Sequence, residues 1–404
     1  RPAWDVDIAN LNLTEGGISF ISHNLGKKMN VPKEVTRLGG IHYVGHLSGR
    51  GDRLSSKGRL ETGAGNADIQ LSKNGKNIQA KIATKGIALD RILANKTFGQ
   101  VATTIEVKGN KDHLVAKGEI SRFDYNKYSF RNIRLDGQYN HGIVKGLASI
   151  DDPNIRVDIE GNYAMKGNKY AINTHIDHLQ PSILGVKMAD KGYSLDDIDL
   201  SANNQSSDSY LDLEAPFMSL HARGQYNLST LVSSIQNMIA EKLPTLPGIK
   251  KTKAKGDNDF TLQGNIYSTE VLNKILGIPL AISSPIHING NISEQSNELN
   301  LYLSAPLFSY NGKPFHNGNV ELTTLDNALS LEARITQGMP YEKAPEIKLK
   351  AAAADNVLST LLNYNNHSSK LPLSGLLNAD TRFSKNEQGQ MTIQTNVKPS
   401  CLML

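Results

Sequence analysis

The sequence predicts a mostly β protein whose strands form an antiparallel sheet with one wet and one apolar face. Three observations carry this: apolar side chains alternate with period two, reverse-turn chemistry separates the alternating runs, and one phrase recurs along the chain. In "NELNLYLS", Leu299, Leu301 and Leu303 share one face while Asn300, Tyr302 and Ser304 share the other. "NIRVDIEG" sets Ile155, Val157 and Ile159 against Arg156, Asp158 and Glu160, and "ALSLEARI" sets Leu329, Leu331, Ala333 and Ile335 against Ser330, Glu332 and Arg334. Strands wet on one side belong to antiparallel sheets, since parallel sheets are covered on both faces.

The turns fit. "KNGK" (Lys73 to Lys76), "GNKD" (Gly109 to Asp112), "DDPN" (Asp151 to Asn154), "KGNK" (Lys166 to Lys169), "YNGK" (Tyr310 to Lys313) and "LDNA" (Leu325 to Ala328) carry residues that accept the positive φ of tight hairpins. Composition fits too. The chain has 404 residues, of which 39% are hydrophobic and 6% aromatic, with 34 Gly and one Trp. That supply covers one face of each strand, not two.

The recurring phrase is "SAPLFSYNGKPFHNGNVEL" (Ser304 to Leu322). "SRFDYNKYSFRNIRL" (Ser121 to Leu135) shares its Phe-x-Tyr-Asn, and "EAPFMSL" (Glu214 to Leu220) shares its Ala-Pro. Pro216 and Pro306 stand 90 positions apart, and Phe123 and Phe308 stand 185 apart, about two such steps. The expected organisation is one continuous repeat sheet in four sections, 1–100, 101–195 with the Phe-x-Tyr-Asn motif, 196–285 with a helical insertion near 227–243, and 286–404. Phe-x-Tyr-Asn itself reads as a corner, aromatic on the apolar face and Asn in the turn.

Helices are expected where a 3.6-residue stripe follows a cap. The clearest is Asn227 to Leu243, with Leu228, Leu231, Val232, Ile235, Met238, Ile239 and Leu243 on one side. Ser268 to Leu276, and Asp355 to Leu362 with Asp355 as N-cap, are shorter; "ALDRIL" and "LQPSIL" are marginal turns of helix.

Catalytic chemistry is not written here, and the chain does not read as an enzyme. The acidic clusters do not follow a calcium-loop pattern, "GAGNAD" lacks a dinucleotide-loop context, and GxSxG, HExxH and Walker motifs are missing. His42 and His46 share a strand face without a third ligand, so neither metal nor cofactor is expected. The charge of +5, from 44 basic and 39 acidic residues, does not call for nucleic acid, and the run Lys250 to Lys255 reads as a solvated loop. A single cysteine, Cys401, rules out an intrachain disulfide. The opening "WDVDIANLNL" reads as a strand entered part-way, so an interior piece of a longer protein is expected.

The stretches Phe123 to Tyr163 and Leu301 to Leu322, with the helix-then-strand segment from Ser268, resemble the TamB proteins of the AsmA-like superfamily, particularly the long Bacteroidetes forms. The resemblance implies a long curved sheet, folded like an open taco around an apolar groove. It implies a periplasmic location in the cell envelope, held to the inner membrane by a segment this chain lacks. The implied role is non-catalytic movement of phospholipid between inner and outer membranes, with an Omp85-type barrel as partner. Some 25 strands about 4.8 Å apart would extend roughly 120 Å. The expected groove residues are Ile133, Leu135, Val157, Ile159, Leu299, Leu301, Leu303, Val320, Leu322, Leu329, Leu331 and Ile335. Two other functions suit the same pattern: a scaffold for outer-membrane protein assembly, and a surface adhesive or structural repeat protein whose apolar faces close into a dry core.

Overall fold

A computed structural model describes residues 3–14, 16–17, 33–167, 169–205, 208–253, 256–325, 327–340, 344–385 and 390–403. Lys255 of the expected basic loop and one residue each of the "KGNK" and "LDNA" turns lie outside the described residues. The fold is mostly β, open rather than closed into a barrel, and every described pairing is antiparallel. It falls into two compact units, one of Arg1–Lys187 with Ser194–Asp197, the other of Met188–Tyr193 with Ile198–Leu404.

The first unit contains β1 (Ala3–Leu13), β2 (Ile41–Arg50), β3 (Arg53–Thr62), β4 (Gly65–Asn74), β5 (Asn77–Ala88) and β6 (Phe98–Gly109). These are followed by β7 (His113–Tyr125), β8 (Tyr128–Phe130), β9 (Ile133–Asn140), β10 (Ile143–Asp152), β11 (Ile155–Ala164) and β12 (Lys169–Leu179). Two helical pieces, α1 (Lys33–Thr36) and α2 (Leu89–Leu93), interrupt them. Each strand pairs with the next, β1 with β2 although residues 14–40 lie between them and β5 with β6 past α2, except that β9 lies directly against β7 and the three-residue β8 pairs only with the tip of β7.

The second unit takes in β13 (Leu195–Asn203) from Ile198 onward, then β14 (Tyr210–Ala215), β15 (Met218–Gln225), α3 (Leu228–Lys242) and β16 (Asp259–Ile266). After these come β17 (Leu280–Ile282), β18 (Ile286–Ser293), β19 (Glu298–Tyr310), β20 (Lys313–Leu325) and β21 (Ala328–Gln337). The last are β22 (Glu346–Ala354), β23 (Val357–Asn365), β24 (Ser374–Lys385), β25 (Met391–Val397) and β26 (Cys401–Met403).

The recurring phrase is a hairpin tip in all three places. Phe123 and Phe130 face each other across β7 and β8, with Asn126 and Lys127 at φ 49° and 68° between the strands. Phe308 and Phe315 face each other across β19 and β20, their rings stacked at 5.5 Å, with Asn311 and Gly312 at φ 50° and 74°. Two successive positive φ values make the two-residue turn whose twist suits a hairpin, and Asn is among the few non-glycine residues that accept one. Pro216 and Phe217 form the third tip, between β14 and β15.

The helix expected at Asn227 is α3, with Asn227 as its N-cap accepting from the Ser229 amide at 3.1 Å. "ALDRIL" and "LQPSIL" form α2 and a single 3₁₀ turn, Pro181–Leu184. The segment from Ser268 yields only a short helical piece ending in a wide turn over Leu272–Leu276. Asp355 to Leu362 is not a helix. Asp355 and Asn356 stand at φ 50° and 62°, forming the hairpin turn into β23, which pairs with β22 and β24 along its whole length. Asp-Asn serves a cap or a tight turn equally well, and here the two neighbouring strands decide the matter.

Candidate functional site: an apolar sheet face

In antiparallel pairs, residues directly opposite project to the same side, so register threads side chains into rows running across the strands. One row of the first unit runs Ile8, Gly45, Gly58, Ile69, Ile82, Ile105, Gly118, Leu135, Ala148, Ile159, Thr174, from β1 to β12 with β8 omitted. Two residues along each strand, the adjacent row runs Val6, Leu47, Ser56, Leu71, Ala80, Val107, Ala116, Gly137, Gly146, Gly161, Ile172. Apart from Ser56 and Thr174, both rows are apolar. In the second unit, Leu213, Leu220, Gly264, Ile288, Leu303, Val320, Ala333, Leu349, Leu362 and Leu377 form a row with no polar member.

The opposite face is ionic. Lys81 bonds Glu106 at 2.7 Å, Lys117 bonds Asp136 at 2.7 Å and Lys350 bonds Glu332 at 2.7 Å, each pair directly opposite across two strands. His42 lies 3.3 Å from Glu61, and His46 lies 2.8 Å from Asp7 and 3.2 Å from Asp5. The Asp7 hydrogen bond and the nearby carboxylates raise the His46 pKa. No cluster of three or more metal-ligating side chains occurs among the described residues. Arg50 to Asp52 sit at the β2–β3 hairpin tip, with Gly51 at φ 63°.

All twelve expected groove residues lie on the apolar faces, but with unequal exposure. Ile133 and Val157 are each 8% exposed, within a core that includes Phe130, Ile155 and Ile183. Leu135, two residues from Ile133 on the same strand, is 37% exposed, and Ile159 is half-buried. Leu299 is buried; Leu301, Leu303, Val320, Leu322, Leu329, Leu331 and Ile335 are half-buried. The cause is a wall at one end of the strands. In the first unit, Phe130 of β8 and Ile183 of the 3₁₀ turn close over the ends of β9 and β11.

In the second unit α3 crosses a line of strand ends. Asn297 bonds Glu241 at 2.8 Å, Lys242 bonds Asn327 at 2.6 Å, and the Asn356 amide donates to the Lys242 carbonyl at 2.9 Å. These partners stand in or beside the β18–β19, β20–β21 and β22–β23 turns. Met238 and Leu243 of the expected stripe are buried, Leu231, Ile235 and Ile239 are half-buried, and Val232 is exposed. Phe260, Leu299 and Ala353, at the end the helix crosses, are buried.

The sequence pattern sets Ile78, Ala80 and Ile82 on one strand face, but the expected groove residues include none from β4–β6, where Ile69, Leu71, Ile78 and Ile82 join this face; Ile78 and Ile82 are each 38% exposed. Sequence reading missed the glycines, because Gly137, Gly146 and Gly161 form a row only once the register is known.

Carboxylates anchor the corners. Asp124 accepts from Arg122 Nε and Nη2 at 2.8 and 2.7 Å, from Ser129 Oγ at 2.6 Å and from the Gln100 amide at 3.3 Å. The Arg122 hydrogen bond, joined by those of Ser129 and Gln100, outweighs burial and holds its pKa below the usual carboxylate range. A depressed pKa means the stabilisation is whole above the unfolded value, about 3.9, and is lost as pH falls through the lower folded value. Asp124→Asn is therefore expected to cost about 1–2 kcal/mol at pH 7. The gap to the parent, read from urea midpoints, should shrink below about pH 4. An equal gap at pH 7 and at pH 2 would show that charge plays no part.

No protein-family model, no curated protein and no solved structure matches this chain.

Proposed function

We propose that the chain is part of a periplasmic lipid conduit, non-catalytic, which moves phospholipid between membranes along its apolar sheet faces. The observation that carries this is the pair of apolar rows threading eleven strands of the first unit, left half-exposed instead of buried. A folded chain does not ordinarily leave so much contiguous apolar surface uncovered unless something apolar occupies it. An acyl chain of about 16 carbons costs roughly 12 kcal/mol to hydrate, so a lipid needs such cover to cross water. Rows of Leu, Ile, Val, Ala and Gly, repeated strand after strand, offer that cover without one deep trap. The ionic opposite face remains suited to water.

The test is native mass spectrometry of detergent-free protein, followed by uptake of a fluorescent phospholipid from vesicles. Phospholipid is expected to co-purify, and Ile78→Asp/Ile82→Asp is expected to reduce uptake about tenfold while leaving circular dichroism unchanged. Lipid-free parent protein unable to take up the probe would overturn the reading and leave the adhesive or scaffold role.

A further inference from the structure

Within the apolar face of the first unit, the row Ala116, Gly137, Gly146, Gly161 has almost no side chain across four neighbouring strands, β7, β9, β10 and β11. On one side the flanking row is Gly118, Leu135, Ala148 and Ile159, from which Leu135 and Ile159 stand up; on the other, Val144, Tyr163 and Tyr170 form a taller row. The result is a trough running across the strands, part of a groove of about 530 Å³ lined almost wholly by apolar atoms. Four strands give it a length of about 19 Å, and Val107 and Ile172 stand in the same row at its two ends. The flanking rows lie about 13 Å apart at the backbone, which leaves roughly one side-chain width between them.

We propose that this trough is a station for a single unbranched acyl chain, an assignment that rests on the lipid reading above and gives it a place. Width decides the occupant. An α-helix needs about 10–12 Å, and a second sheet would stand about 10 Å off and leave the trough floor empty. A chain of methylenes fits the width, needs no hydrogen bonds and can lie along all four strands at once. A two-chain lipid would place one chain here and the other on the adjoining rows.

Two of the glycines have a packing reason. A Cβ on Gly146 would stand 2.7 Å from the Asp136 carbonyl oxygen, and one on Gly161 would stand 2.7 Å from that of Ala171. Gly137 has none: its Cβ would meet only the Lys145 and Ala116 carbonyl oxygens, at 3.7 and 4.0 Å. Its open floor position is thus free to take a side chain, which makes Gly137→Leu a plug that leaves the backbone in place.

The experiment uses the whole chain, a diazirine-bearing stearic acid, and peptide mapping of the photoadducts. Adducts are expected to concentrate on Val144, Tyr163 and Tyr170, and to fall about tenfold in Gly137→Leu while adducts on the second unit persist. Adducts spread evenly over both units, or unchanged in Gly137→Leu, would overturn the station and leave the lipid reading standing. No adducts anywhere, from protein that also takes up no phospholipid, would overturn both. A dimer lost on Gly137→Leu would assign the trough to a second copy and overturn the station as well. Gly137→Ala, with a smaller plug, should give an intermediate loss if the trough is filled by a chain.

Discussion

Asn258→Leu is expected to destabilise the second unit by about 3–4 kcal/mol and to release the start of α3 from the sheet. Asn258 is fully buried, at 0% exposure. Its Oδ1 accepts from the Asn227 amide at 2.7 Å, and its Nδ2 donates to Ser234 Oγ and Glu294 Oε1, each at 3.0 Å, with Thr230 Oγ1 at 3.3 Å. Its own carbonyl accepts from the Glu294 amide at 2.9 Å. One side chain therefore joins the N-cap of α3, the first turn of that helix, the entry to β16 and the exit from β18. Leucine has a comparable volume, so the loss comes from buried polar groups that lose their partner. Amide hydrogen exchange should show Thr230 to Leu243 losing protection before the strands do. A loss under about 1 kcal/mol with α3 still protected would show that apolar packing, not this network, seats the helix.

Strand pattern, hairpin turns and the helix α3 were legible in the sequence because each is decided within a short stretch. Leu299, Leu301 and Leu303 alternate whatever surrounds them, and Asn311-Gly312 demands its turn locally. Asp355-Asn356 failed for the complementary reason. The stretch Val357, Leu358, Leu361, Leu362 satisfies a helical stripe as well as a strand, and only β22 and β24 on either side select the strand. Which apolar residue is covered was also out of reach. Ile133 owes its burial in part to Ile183, fifty positions away, and Leu299 lies at the strand ends crossed by α3, more than fifty positions earlier. The trough needs three glycines from three strands in one register, information that no window of the sequence holds.

That difference between covered and open positions yields the second large effect. Ile133→Asp is expected to unfold the first unit or cost it at least about 4 kcal/mol, while Leu135→Asp costs about 1 kcal/mol and leaves a folded protein. The two residues stand on β9, face the same side and differ by one step along the strand. Ile133 is packed in a cluster with Phe130, Ile155, Val157 and Ile183, where a carboxylate would lose its water. Leu135 is in the next row, 37% exposed, where a carboxylate keeps much of its hydration. Urea unfolding of both variants, read beside phospholipid uptake, separates the two meanings an apolar face can have. If Leu135→Asp proves as destructive as Ile133→Asp, the face is a closed core and the conduit fails with it. If Leu135→Asp folds normally but no longer takes up lipid, the residues that hold the sheet together and those that hold the cargo are different rows of one face. The wall at the strand ends sets the boundary between them: Phe130 and Ile183 cover the first row and leave the next open.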